Sequence, residues 1–80
     1  MTIPKELDGV IASDPEIMSG APSFVGTRVP LWVFLDHLES GVSLSDFHES
    51  FPRVTSEQTA AVLSWLAKAS RQLINLDTAS

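Results

Sequence analysis

Few side chains in this sequence are equipped for chemistry, and most of them are cations or small polar groups. Cysteine is absent and histidine occurs twice, at His37 and His48, so no thiolate is available as a nucleophile or zinc ligand. Neither histidine has another three or four residues away, the spacing that places two imidazoles on one helix face. No nucleophile motif and no G-x-G-x-x-G is present, and no two carboxylates are spaced as a general acid and base. The expectation is a protein that is not an enzyme, with no metal, no cofactor and no small-molecule substrate. Its histidines are expected on solvated helix faces. Binding is the chemistry left.

Five cations stand against ten carboxylates, a formal net charge of −5. Residues 1–27 hold Lys5 against Glu6, Asp8, Asp14 and Glu16. Residues 28–54 hold Arg28 and Arg53 against Asp36, Glu39, Asp46 and Glu49. Residues 55–80 balance, Lys68 and Arg71 against Glu57 and Asp77, so only this last third is not repelled by nucleic-acid phosphates. Gly26-Thr27-Arg28 reads as a turn presenting a guanidinium, because glycine admits a left-handed backbone and arginine forks onto carboxylate or phosphate. No glycine-rich phosphate loop accompanies it, and the favoured reading pairs Arg28 with Asp14 or Glu16 on a neighbouring strand.

The elements that must position these residues change character near residue 30. Up to and including Pro30 stand four of the five prolines and three of the four glycines, which interrupt helices and leave turns and short extended pieces. Val10-Ile11-Ala12 and Ser23-Phe24-Val25 are the candidate strands. After Pro30, Leu31, Phe34, Leu35 and Leu38 mark one face of a helix over 31–39, closed by Gly41. Ser43 caps a second helix over 44–51, with Leu44, Phe47 and Phe51 inward and Pro52 ending it. Thr55 and Gln58 form a capping box for a third over 56–73, whose inward stripe is Thr59, Val62, Leu63, Leu66, Ala69, Ser70 and Leu73.

With 80 residues, 44% of them hydrophobic, and a mean hydropathy of +0.15, the chain supports one small folded domain. Residues 10–76 are expected to form it, between tails at 1–9 and 77–80. The longest apolar run, Val29–Leu35, has seven residues, too few to cross a membrane. The amino terminus carries no export signal, and a cytoplasmic location is expected.

Two helices joined by a short turn, the second longer and starting with small polar residues, outline a helix-turn-helix. In that reading Thr55, Ser56 and Gln58 approach bases while Arg53, Lys68 and Arg71 meet phosphates. The plain alternative is a minimal three-helix core. Trp32, Val33 and Trp65 fall off the apolar stripes, a surplus that predicts a homodimer.

The order of motifs resembles a small bacterial family of unknown function, numbered four-three-three, whose members are similar to VapB-type antitoxins. The matching pieces are Ile11-x-x-Asp14-Pro15-Glu16-Ile17, Gly20-x-Pro22, Gly26-Thr27-Arg28-Val29-Pro30, Gly41-Val42-Ser43 and Phe51-Pro52-x-Val54-Thr55. Ala21 stands where the family commonly carries lysine. The resemblance implies a mainly α fold, a three-helix homeodomain-like helix-turn-helix behind a short N-terminal β segment. It also implies an antitoxin function: neutralising a PIN-like nuclease toxin and binding operator DNA, and with only Lys68 and Arg71 on the third helix that binding is expected to be weak for the chain alone. Arg28, Trp32, Trp65 and Arg71 are the partner-binding candidates. Arg53, Thr55, Ser56, Gln58 and Lys68 are the DNA-binding ones. The alternative is a dimerising interaction module without DNA binding.

Overall fold

The computed structural model describes residues 3–74, and among them the chain is mainly α with a short antiparallel sheet near its start. A 3₁₀ turn, Lys5–Leu7, precedes strand β1 (Ile11–Ala12), and a second, Met18–Gly20, lies before β2 (Ser23–Phe24), which pairs with β1 in the register Ile11 to Phe24 and Ala12 to Ser23. A further bridge joins Ser23 to Pro30. Helices α1 (Leu31–Glu39), α2 (Leu44–Ser50) and α3 (Ser56–Leu73) follow.

Local signals account for the helix limits. At the end of α1, Val42 N donates to His37 O at 2.9 Å and Gly41 N to Leu38 O at 3.1 Å, with Gly41 at φ +79°. This is a Schellman closure, which needs a left-handed residue after the cap. Asp46 N donates to the Ser43 hydroxyl at 3.1 Å at the start of α2. The capping box of α3 is complete: Gln58 N donates to Thr55 Oγ1 at 3.1 Å and Thr55 N to Gln58 Oε1 at 2.9 Å.

Leu7, Ile11, Phe24, Phe34, Phe47, Val54 and Val62 form the core, joined by the buried Thr59. Phe34 sits between Phe24 and Phe47, with ring centroids 5.9 and 4.9 Å away, both edge to face. Contact with the β segment on one side and α2 on another alters the expected face of α1. Val33 packs on the core, whereas Leu35 is only half-buried and stands outside the set packed there. Leu44 is likewise exposed, and α2 rests on Phe47 and Phe51 instead. The stripe of α3 holds through Leu66, but Leu73 is 83% exposed; the last turn of α3 extends past the core.

Within the stretch expected as a tail, residues 1–9, the described residues include part of the core. Leu7 is 1% exposed, and the Lys5–Leu7 turn packs against α3. A lone leucine among charged residues has no periodicity to mark it, so only packing reveals it. Residues 75–80, including the expected domain limit at 76 and the tail at 77–80, lie outside the described residues. Among the described residues no helix is long and apolar enough to cross a membrane.

Candidate functional site: a groove between two arginine-bearing turns

Two turns, distant in sequence, form the site. The first begins at Phe24. Thr27 N donates to Phe24 O at 3.0 Å, with Gly26 at φ +79° in the third position, where this turn type requires a left-handed backbone. The buried Thr27 hydroxyl donates to Phe24 O at 2.8 Å and accepts from Val29 N at 3.0 Å, locking the segment that presents Arg28. The second turn is Phe51–Val54, closed by Val54 N to Phe51 O at 3.1 Å. Pro52 presets its second position and Arg53 occupies its apex. Buried Val54 anchors it, and its carbonyl accepts from His48 Nδ1 at 2.9 Å.

Between the turns lies an open groove of about 630 Å³, lined by Ile17, Gly26, Thr27, Arg28, Val29 and Arg53. Ile17 comes from the loop after β1. Ile17 N donates to Asp14 O at 2.9 Å, and Glu16 N donates to the Asp14 carboxylate at 2.9 Å. Beyond it Met18 and Ser19 hold φ of 51° and 57°, a left-handed pair that costs about 1–2 kcal/mol per residue. Gly20 N to Ile17 O and Ala21 N to Met18 O, at 3.0 and 3.1 Å, hold that pair in place.

Arg28 does not pair with Asp14 or Glu16 as the sequence suggested. Among the described residues the one ion pair is Lys68 with Glu6, 3.8 Å apart on an exposed face. Lys68 therefore has an intramolecular acidic neighbour where a phosphate contact was expected. Arg28 and Arg53, assigned to different partners by the sequence reading, line one groove. Arg71 is exposed in the last turn of α3.

The start of α3 is committed to holding the structure together. The Thr55 hydroxyl and the Gln58 carbonyl oxygen complete the cap. Gln58 Nε2 donates to Val25 O at 2.9 Å, 33 positions away. The Ser56 hydroxyl donates to the Glu57 carboxylate at 3.2 Å. Base reading by Thr55 or Gln58 would break bonds that hold the helix.

The histidines are not on solvated faces. Both are half-buried: His37 Nδ1 donates to Val33 O at 2.7 Å, and its ring stands edge to face with Phe47 and Phe51. His48 reaches both Val54 O and, through Nε2 at 3.0 Å, the buried Thr59 hydroxyl. A 3.6-residue period places them beside carboxylates, whereas their partners belong to the backbone and to α3. Of the two tryptophans, Trp65 packs on the core and is only half-buried, a correction to its place in the surplus. Trp32 is 54% exposed.

The chain is a small mainly α domain with a β segment packed on its helices and a groove lined by Arg28 and Arg53. The chain belongs to the family described as protein of unknown function (DUF433), whose model matches residues 11–65. The match spans β1 to the middle of α3 and includes both turns. No curated protein and no solved structure matches the chain.

Proposed function

We propose that this protein is a non-catalytic, antitoxin-type binding protein of the cytoplasm, and that it neutralises a PIN-like nuclease by meeting its carboxylates in the Arg28–Arg53 groove. One observation carries the reading. In a chain of net charge −5, two arginines line one groove and neither forms an ion pair among the described residues. Guanidinium groups bind carboxylates by paired, charge-assisted hydrogen bonds. Seated on the carboxylates that would hold a hard divalent cation, they satisfy the charge without supplying the metal's chemistry. The nuclease as the partner rests on the family resemblance alone.

Operator reading through α3 draws less support from the geometry. With Thr55 and Gln58 engaged in the cap, Ser56 bonded to Glu57 and Lys68 paired with Glu6, only Arg53 and Arg71 of the named residues are left for phosphates. A dimerising module without DNA binding is the second reading, favoured by the exposure of Trp32 and Leu73. Capture of the tagged chain from its native host separates these readings. Recovery of a PIN-like nuclease, lost on Arg28→Glu or Arg53→Glu and retained on Lys5→Glu, is the expected result. Recovery of the chain alone, as a dimer broken by Trp32→Ala, supports the second reading and overturns the first.

A further inference from the structure

We propose that the groove is a site for a compact oxyanion of the carboxylate class, and that Gln58 is the positioning residue that sets its width. The proposal deepens the reading above, on which it rests only for the source of the carboxylate, a side chain of the partner. Gln58 spans the two walls with one planar amide. Its Nε2 donates to Val25 O at 2.9 Å, three residues before Arg28, and its Oε1 accepts from Thr55 N at 2.9 Å, two residues after Arg53. An amide has a fixed distance between donor and acceptor, so the separation of the two backbones follows from one side chain. Each wall is rigid on its own side, through the Thr27 hydroxyl in one and the His48 bond to Val54 O in the other. Ile17 and Val29 add apolar lining, which strengthens hydrogen bonds made beside it.

The surrounding charge selects a compact ligand. Asp14 lines the neighbouring groove, and Glu57 stands in the first turn of α3. A run of phosphates would cross these carboxylates, whereas a single carboxylate meets only the arginines. Nucleic acid is therefore the competing outcome.

Nitrogen-15 NMR of the full chain, titrated separately with the dipeptide acetyl-Glu-Glu-amide and with a single-stranded oligonucleotide, tests this. The dipeptide should shift the Gly26, Thr27, Arg28 and Arg53 amides, and Arg28→Gln or Arg53→Gln should weaken it roughly tenfold. Gln58→Met, which removes cap and tether together, should weaken it several-fold. Thr55→Ala, which removes the hydroxyl cap but keeps the tether, should bind as the wild type does. A purely structural role would instead make both variants follow their melting temperatures. If Gln58→Met does not fold, the charge-neutral pair Glu57→Gln with Gln58→Glu keeps the acceptor for Thr55 N, loses the donor to Val25, and should show the same weakening. No dipeptide shifts at these amides, equal weakening in Thr55→Ala and Gln58→Met, or tighter binding of the oligonucleotide would overturn the proposal. Dipeptide binding with no nuclease recovered from the host leaves the site standing and removes the partner.

Discussion

The first turn of α3 and the groove beside it each carry polar side chains, and these have opposite fates. At the helix start, Thr55 and Gln58 are occupied by the cap and by the bond to Val25. In the groove, Arg28 and Arg53 line open space and form no ion pair among the described residues. A polar residue at a helix start has backbone donors within reach before any partner arrives. Arg28 and Arg53 instead stand on turns with exposed side chains. Availability separates the polar groups that build the structure from those left free to meet a partner.

The largest disturbance should erase the contrast by removing what both regions stand on. Phe47 is 1% exposed and packs against the rings of Phe34, His37 and Phe51. Phe47→Ala should cost about 3–5 kcal/mol, a large part of the total for a small domain. Thermal melts should show no cooperative transition or a severely lowered one.

His48→Ala comes next, because it leaves Val54 O without its imidazole donor and the Thr59 hydroxyl with Ser56 O alone. A loss of about 1–3 kcal/mol is expected. Urea denaturation should register it, and the loosened 51–54 turn should lower partner retention as well. Unchanged retention would mean that the groove does not depend on the position of Arg53.

Thr55→Ala isolates the helix start. Removing an N-cap hydroxyl costs about 1 kcal/mol, and partner capture should be unaffected. Arg53→Glu should do the reverse, changing stability by no more than about 0.5 kcal/mol, as exposed surface changes do, while abolishing capture. If Thr55→Ala also abolishes capture at temperatures where it is folded, the contrast between the two regions fails.

The smallest effect concerns DNA. Of the cations expected at phosphates, Lys68 is paired with Glu6, so the purified chain should bind DNA weakly. Each neutralised phosphate contributes about 0.9 to the salt slope. Fluorescence anisotropy across a salt series should give a shallow slope. A steep one would restore α3 as a DNA-reading helix.

The helices were legible because their signals are local. The limits at 31–39 and 56–73 hold, and the second helix ends at Ser50, one residue before the expected limit. The strands are each one residue shorter than the runs that predicted them. The groove was legible only in pieces, with Arg28 read as a turn cation and Arg53 as a phosphate contact. The tether at Gln58 was hidden behind its reading as a cap, which is correct but uses one end of the amide.

Caps and helical faces depend on residues within about four positions of each other, and so Gly41, Ser43, Thr55 and Gln58 declare their roles in the sequence itself. The mainly α class, the break near Pro30 and the acidic balance follow from the chain alone for the same reason. Leu7 in the core, Val33 in place of Leu35, Trp65 turned inward and His48 bonded to Thr59 were decided by packing between elements. Arg28 and Arg53 line one groove only because the β segment packs on the helices, with Gln58 bonded to Val25 across the fold. No local periodicity encodes a contact across 33 positions; it exists only once the core has closed around Phe24, Phe34 and Phe47.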